Sequence, residues 1–211
     1  PIQGEGGIRK ADLRFLKDLR AVCDEFGLLL FLDEIQCGMG RTGKLFAHEW
    51  AEIEPDVVAS AKGIGSGFPL GAILAKEEAA RGMTAGLHGT TYGGNQLATT
   101  VGDAVMDVIL SDGFLDNVHA MGESLYGRLE ASVKMFPEVF KSVRGAGLML
   151  GLECVVPGGE MVAALRDAGL LTVPAAENVV RILPPLIIEQ AHIDEAGAII
   201  EKVAAAWKAD K

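Results

Sequence analysis

The sequence lacks the features that mark disulfide-rich, metal-binding and membrane proteins. Its three cysteines (Cys23, Cys37 and Cys154) are an odd number without a C-x-x-C spacing, so they indicate neither a disulfide framework nor a zinc site. The four histidines show no metal-ligand spacing, and we expect no metal. No apolar run approaches the roughly 20 residues that cross a bilayer, and no signal peptide is visible. The cysteine usage predicts a cytoplasmic protein.

Basic residues are also scarce. The 19 Lys and Arg residues face 29 Asp and Glu residues, which gives a formal net charge of −10 at pH 7. Because no cluster of basic residues stands out, nucleic acid and anionic membranes are poor partners. Apolar residues make up 49% of the chain, as in ordinary globular proteins. The chain opens at Pro1 in the middle of a motif, so we expect a fragment of a longer protein.

The first half of the chain alternates helical and strand-like patterns. Residues 10–26 place apolar side chains on one helical face, and Gly27 predicts the end of that helix. Residues 28–32, 56–61 and 71–75 are short apolar runs, typical of parallel strands covered on both faces. This order predicts an α/β fold with a mostly parallel sheet, whose ligands lie at the carboxyl ends of the strands.

The second half predicts a smaller α+β unit. Its pattern gives helices over 95–110, 113–135, 160–168 and about 193–207, and strands over 143–154, 170–173 and 179–183. We therefore expect two domains, residues 1–105 and residues 106–211, of which the first is a partial ligand-binding domain.

Two predicted strand ends carry the chemistry that stands out. Asp33 follows a fully apolar run, where a carboxylate is costly to bury unless it faces a cation or a donor. Lys62 follows a second apolar run, where an amine loses hydration and becomes a nucleophile. An acid for a ring nitrogen and an amine for an aldehyde are what a pyridoxal phosphate site needs. A turn acid and a surface lysine are the alternatives.

The residues after Asp33 refine this interpretation. Gln36 offers an amide donor that could reach the phenolate oxygen of such a ring. Glu34 would point to the opposite side of a continuing strand. We therefore interpret Asp33 as the functional acid and Glu34 as a structural neighbour rather than as half of a metal site.

Two glycine-rich segments resemble nucleotide motifs only in part. G38-M-G-R-T-G-K44 is followed by Leu45, where a P-loop needs a serine or threonine to hold magnesium. G63-I-G-S-G67 lacks the glycine spacing of a dinucleotide fingerprint. Both segments are better interpreted as tight turns around a ligand.

The segment H88-G-T-T-Y-G-G-N95 leads into a predicted helix at about Asn95. The hydroxyls of Thr90 and Thr91 and the free amides of a helix start favour an oxyanion such as phosphate. An ordinary capping loop is the alternative, and by itself the more common one.

Arg181 lies inside an apolar strand pattern, V179-V-R-I-L183. A buried arginine needs a carboxylate from the protein or from a ligand. Glu5, which stands among glycines in Q3-G-E-G-G7, could be the protein partner.

Together these motifs resemble the class III, fold-type I pyridoxal phosphate aminotransferases, and most closely the acetylornithine aminotransferase branch. The stretches that carry the resemblance are P1-I-Q-G-E-G-G7, F31-L-D-E-I-Q-C-G-M-G-R-T-G43, A61-K-G-I-G-S-G-F-P-L-G-A72, H88-G-T-T-Y-G-G-N95 and R181-I-L-P-P185. They run from end to end of the chain in the family's order. The resemblance implies the C-terminal half of the large cofactor-binding domain, followed by a small C-terminal domain.

The resemblance also implies roles at the cofactor. Lys62 would bind pyridoxal 5'-phosphate covalently and then move the proton between substrate and cofactor carbons. Asp33 would hold the pyridinium nitrogen, and Gln36 would contact the phenolate oxygen. Thr91 would bind the phosphate of the neighbouring subunit in a homodimer with shared active sites, and Thr90 would face the substrate.

The substrate residues follow in the same way. Arg181 would bind the α-carboxylate of glutamate, and Glu5 would neutralise Arg181 when the other substrate is bound. The implied reaction moves the ω-amino group of N-acetylornithine to 2-oxoglutarate, a step of arginine biosynthesis. Ornithine, succinylornithine or 4-aminobutyrate could be the amine instead, and a non-catalytic scaffold of the same fold is a more distant alternative.

Two departures from the family pattern stand out. Gln96 occupies a position that is usually proline, which changes a helix start rather than the chemistry. The family's N-terminal half, with its phosphate loop, stacking aromatic residue and second substrate arginine, is absent. We therefore expect the fragment alone to be inactive.

Overall fold

The computed structural model of the chain describes residues 1–209. The helices are α1 (Leu13–Phe26), α2 (Glu77–Ala80), α3 (Gln96–Ile109), α4 (Phe114–Met135), α5 (Gly158–Asp167) and α6 (Gln190–Ala209). The strands are β1 (Ile2–Gln3), β2 (Arg9–Lys10), β3 (Phe31–Asp33), β4 (Val57–Ala61), β5 (Gly71–Ala75), β6 (Phe140–Ala146), β7 (Met149–Cys154), β8 (Val173–Ala175) and β9 (Val179–Ile182). Two 3₁₀ helices cover Ala47–Ala51 and Lys62–Gly65.

The chain divides into two units, which are described separately. Unit 1 contains Pro1, Ala11–Gly40 and Lys44–Leu115, and unit 2 contains Ile2–Lys10, Arg41–Gly43 and the chain from Asp116 onward. The sequence places a domain boundary between residues 105 and 106, whereas this division falls between Leu115 and Asp116. The difference arises because all of α3 belongs with unit 1, where it packs against the 3₁₀ helix Lys62–Gly65.

Helix α1 shows why the first helix starts later than its apolar pattern predicts. Asp12 is the N-cap, since its Oδ1 accepts a hydrogen bond from the backbone N–H of Arg14 (2.7 Å). Lys10, at the start of the predicted helix, instead belongs to β2. Gly27 ends α1 as expected, with a left-handed φ of +64°.

The sheet of unit 1 has the strand order β3-β4-β5. The β3–β4 pair is parallel, as predicted, but β4 and β5 are antiparallel. Residues 62–70, which connect β4 to β5, are too few for the crossover of a dozen or more residues that a parallel pair needs. The expected cover on both faces is also missing at Phe31, whose surface is 58% exposed in this chain.

Unit 2 is built around an antiparallel sheet with the strand order β6-β7-β9-β8. The single strand predicted over 143–154 is wrong, because this stretch contributes to two strands, β6 and β7, that form a hairpin. The glycines at 145 and 147 make the turn possible, with φ values of +114° and +54°. All six residues of β7 are buried, and α5 packs against β9 and α6.

The helices of residues 1–209 include none that is both long and apolar enough to cross a membrane. In the same part of the chain, no group of three or more His, Cys, Asp or Glu side chains is arranged to hold a metal ion.

Candidate active site

Asp33 and Lys62 lie at the same edge of the unit 1 sheet. Asp33 is the last residue of β3 and pairs with Ala59 of the parallel strand β4. Lys62 follows directly after Ala61, the last residue of β4. The structure thus brings together the two strand ends that the sequence singles out. Both side chains are exposed in this chain, so unit 1 does not bury the Lys62 amine as the sequence predicts.

The backbone around Lys62 makes an abrupt turn. Lys62 begins the 3₁₀ helix Lys62–Gly65 and has a φ of +50°, in the left-handed region that side chains rarely adopt. A Cβ atom at Gly63 would lie 2.9 Å from the Cβ of Met39, which is closer than side chains tolerate. The turn that presents the amine therefore depends on a glycine at the next position.

Asp33 and Glu34 have different surroundings, as the sequence suggests. The exposed Asp33 accepts a hydrogen bond at Oδ1 from the backbone N–H of Ile35 (2.9 Å). Glu34 is fully buried and accepts from the backbone N–H groups of Ala47 (2.7 Å) and His48 (2.8 Å). Half-buried Gln36 follows in the same turn. Glu34 thus attaches the turn that carries Asp33 and Gln36 to the 3₁₀ helix Ala47–Ala51.

Further contacts keep Glu34 ionised. The Nδ1 atom of His48 lies 2.9 Å from Glu34 Oε1, and the thiol of Cys37 donates to Oε2 (3.4 Å). Burial alone would raise the pKa of Glu34, but the hydrogen bonds from the His48 ring and from the backbone of Ala47 and His48 lower it overall. Glu34 is a structural carboxylate.

Thr90 and Thr91 lie in an exposed loop before α3. The Oγ1 atom of Thr90 accepts a hydrogen bond from the backbone N–H of Gly93 (3.1 Å). Asn95 caps α3 by accepting from the backbone N–H of Ala98 (2.9 Å), and Gln96 is the first helical residue. The predicted helix start is therefore correct, and Thr91 is open to solvent.

Glu5 and Arg181 both belong to unit 2. Glu5 is exposed, and its carbonyl oxygen accepts a hydrogen bond from the backbone N–H of Ala176 (2.9 Å). Arg181 is half-buried in β9, where it pairs with Val173 of β8 and Gly151 of β7. The segment that carries Glu5 is thus attached to the hairpin that carries Arg181.

Arg41 supports the same region and was not recognised from the sequence. It donates hydrogen bonds from Nη1 to the carbonyl oxygens of Leu148 (3.3 Å) and Pro184, and Pro184 follows soon after Arg181. Burial lowers the pKa of the Arg41 guanidinium. A cation among glycines was the available signal, but its partners are more than 100 residues away in sequence.

Comparisons with known proteins give a consistent result. The family model described as "Aminotransferase class-III" matches residues 1–204. The chain is 58% identical over 196 residues to an acetylornithine aminotransferase of Mesorhizobium japonicum, covering 93% of this chain and 49% of the relative. It is 54% identical over 205 residues to one of Rhodobacter capsulatus, covering 97% of this chain and 52% of the relative. The chain thus spans about half the length of the curated relatives it matches.

Solved structures match over nearly the whole chain. An N-acetylornithine aminotransferase from Stenotrophomonas maltophilia has a TM-score of 0.89 at 38% identity, covering 100% of this chain and 56% of that one. An ornithine δ-aminotransferase from Plasmodium falciparum has a TM-score of 0.94 at 30% identity with the same coverage.

Proposed function

The chain belongs to the class-III aminotransferases, and on that basis we propose that it forms the C-terminal part of an enzyme that moves the ω-amino group of N-acetylornithine to 2-oxoglutarate. The observation that carries the proposal is the placement of Lys62 and Asp33 at one edge of the β3–β4 pair. The relatives support the choice of amine, since those named acetylornithine aminotransferase reach 58% identity.

The residues at this edge fit pyridoxal 5'-phosphate. Lys62 presents an exposed primary amine that can condense with the aldehyde of the cofactor. Asp33 presents an exposed carboxylate that can pair with the protonated ring nitrogen. When bound, the cofactor supplies an electron sink for the substrate carbon. We propose that Lys62 holds the cofactor and moves the proton, that Asp33 keeps the ring nitrogen protonated, and that Gln36 contacts the phenolate oxygen.

We assign the phosphate to Thr91 of the neighbouring subunit, in a homodimer, and the substrate face to Thr90. The exposure of both residues in a loop that leads to a capped helix supports this assignment, because such a loop offers hydroxyl and amide donors. A homodimer would cover the loop and would make each active site depend on both subunits.

Arg181 and Glu5 serve the two substrates in this proposal. Arg181 binds the α-carboxylate of glutamate or 2-oxoglutarate, and Glu5 neutralises Arg181 when the amine is bound. The attachment of Glu5 to Ala176, in the hairpin of Arg181, supports the pairing. A half-buried arginine is best paired with a carboxylate in both half-reactions.

The first test concerns the lysine. The full-length enzyme, meaning these residues joined to an N-terminal half such as the relatives have, should be yellow, because pyridoxal phosphate bound to a lysine gives a visible absorption band. Borohydride reduction should then fix the cofactor on Lys62. Lys62→Ala should abolish this adduct, whereas Lys44→Ala, which removes a lysine located over the Trp50 ring, should retain it. An unchanged adduct in Lys62→Ala would refute the assignment.

The second test concerns the amine. With 2-oxoglutarate as acceptor, kcat/KM should be highest for N-acetylornithine among N-acetylornithine, ornithine, succinylornithine and 4-aminobutyrate. A higher value for another amine would replace the proposed substrate but keep the reaction class. Failure with all four would favour a non-catalytic scaffold.

A further inference from the structure

The loop that carries Glu5 joins β1 to β2 and is rich in glycine. Glycine occupies three of the positions 4–7, and glycine has more backbone freedom than any other residue. Within the loop, the backbone N–H groups of Gly7 (3.3 Å) and Ile8 (3.2 Å) donate to the carbonyl oxygen of Gly4. The position of Glu5 therefore depends strongly on what holds the 4–7 loop from outside.

The hairpin that carries Arg181 is firmly fixed. Its turn contains Glu177 and Asn178, both with a φ of +59°. The side chain of Asn178 donates to the carbonyl oxygens of Cys154 (2.6 Å) and Val156 (2.8 Å), and accepts from the backbone N–H of Gly158 (2.6 Å). These three hydrogen bonds attach the turn to the end of β7 and to the start of α5. The β8–β9 hairpin is thus attached to β7 and α5 by side-chain hydrogen bonds and can support the glycine-rich 4–7 loop.

Glu177 connects the 4–7 loop to the β8–β9 hairpin. Its carboxylate accepts hydrogen bonds at Oε2 from Arg9 Nε (3.0 Å) and from Arg144 Nη1 (2.6 Å). Arg9 follows the 4–7 loop after one intervening residue, Ile8, and Arg144 Nη1 also reaches the carbonyl oxygen of Gly7 (3.5 Å). Arg144 is fixed in turn by Glu153, 2.7 Å away. We call Arg9, Arg144 and Glu177 the Glu177 cluster.

We propose that Glu177 is a positioning residue that holds the 4–7 loop against the β8–β9 hairpin, and thereby sets how Arg181 is shared between Glu5 and the carboxylate of the substrate. This inference rests on the proposed function. Glu177 touches neither substrate nor cofactor in this role. It acts through the two arginines, and its effect on catalysis passes through Glu5.

The two half-reactions should respond differently to a loosened loop. When the amine is bound, Arg181 depends on Glu5 for a negative partner, so the amine half-reaction needs the loop in place. When glutamate is bound, the substrate brings its own carboxylate and displaces Glu5. Loss of Glu177 should therefore slow the first half-reaction and spare the second.

The first experiment measures the attachment of the loop directly. In the full-length enzyme, amide hydrogen exchange at Ala176, whose N–H donates to the carbonyl oxygen of Glu5, should be about fivefold faster in Glu177→Gln, the scale of an exposed ion-pair network. The matched control is Glu201→Gln, which removes another Glu–Arg pair of unit 2, with Arg128, and should leave Ala176 unchanged. Unchanged protection in Glu177→Gln would overturn the proposal.

The second experiment measures the consequence in the full-length enzyme. In single-turnover half-reactions, Glu177→Gln should lower kcat/KM for the amine about fivefold and leave that for glutamate within about twofold. Arg9→Met, which removes a different member of the Glu177 cluster, should give the same asymmetry. Equal changes in both half-reactions, or none, would overturn the proposal while leaving the proposed function intact. A wild-type enzyme without either half-reaction would overturn both.

Discussion

At the scale of single residues, Glu153 is the carboxylate of unit 2 whose pKa is lowered most strongly. It accepts hydrogen bonds from Lys141 (2.8 Å) and Ser142 (2.7 Å) and forms an ion pair with Arg144 (2.7 Å). These contacts, that with Lys141 first, lower its pKa from 4.5 to about 2. Because the folded pKa lies below the unfolded one, Glu153 stabilises the fold above about pH 4.5, and this contribution is lost as the pH falls towards 2.

We predict that Glu153→Gln lowers the free energy of unfolding at pH 7 by about 1–2 kcal/mol, allowing for solvent screening of the ion pairs. The same substitution should cost progressively less from pH 5 to pH 2.5, because the carboxylate of the unfolded chain takes up a proton in this range while the folded one, with its pKa of about 2, stays mostly ionised. Urea unfolding at several pH values measures both effects. Glu25→Gln, at an exposed glutamate of α1, is the control. A cost independent of pH would contradict the assigned pKa.

At this scale the sequence predicts the placement of Asp33 and Lys62 better than the contacts that hold the surrounding segments. Asp33 and Lys62 could be found because each ends an apolar run, and the ends of adjacent parallel strands meet at one edge. The roles of Arg41 and Glu177 could not be found, because their partners lie far away in sequence and follow no periodic pattern. Only the folded chain brings these groups together.

At the scale of elements, Glu34 joins a strand end to a short helix. Its two oxygens accept hydrogen bonds from Ala47, His48 and Cys37. An amide NH₂ in place of either oxygen would therefore point its hydrogens at a donor. We predict that Glu34→Gln lowers the free energy of unfolding by about 2–4 kcal/mol, the cost of leaving buried polar groups unpaired. Urea unfolding provides the measurement.

The matched control is Glu49→Gln, in the same 3₁₀ helix. Glu49 is exposed and accepts a single backbone hydrogen bond at Oε1 from Phe46 (2.6 Å), which a glutamine oxygen also accepts. Glu49→Gln should change the free energy of unfolding by less than about 0.5 kcal/mol. Equal effects of the two substitutions would contradict the structural role of Glu34.

The elements themselves were predicted with uneven success. Helices α3 and α4 have clear starts, at the Asn95 cap and after Gly113, and were placed within a residue or two. The β6–β7 hairpin was missed because its turn lies inside a nearly continuous apolar run, where Gly145 and Gly147 are the local signals. Strand β5 was predicted correctly in position, but its direction depends on the short connection after β4.

At the scale of the whole molecule, unit 1 leaves much apolar surface uncovered. Phe15, Phe26, Leu29 and Phe31 are each more than half exposed. The chain also spans about half the length of the curated relatives it matches. Large exposed apolar patches favour association with other surfaces or aggregation. The sequence reveals which residues are apolar, but their exposure depends on what else packs against the unit.

We predict that residues 1–211 alone show no transaminase activity above background and elute as aggregates in size-exclusion chromatography. The full-length enzyme should elute as a dimer and be active. Addition of a separately produced N-terminal half should restore part of the activity if the two halves associate. An active, monodisperse preparation of residues 1–211 alone would contradict both predictions, the lack of activity and the aggregation.

The left-handed backbone of Lys62 implies a stability–activity trade-off at the centre of the proposed site. A side chain at a φ of +50° costs roughly 1 kcal/mol, and glycine avoids this cost. Lys62→Gly should therefore be more stable than Lys62→Ala by about 0.5–1 kcal/mol in urea unfolding, although both lack the amine. Equal stabilities would show that the backbone relaxes. Directed evolution for thermal stability alone would thus favour glycine at the position where the proposed transamination needs lysine.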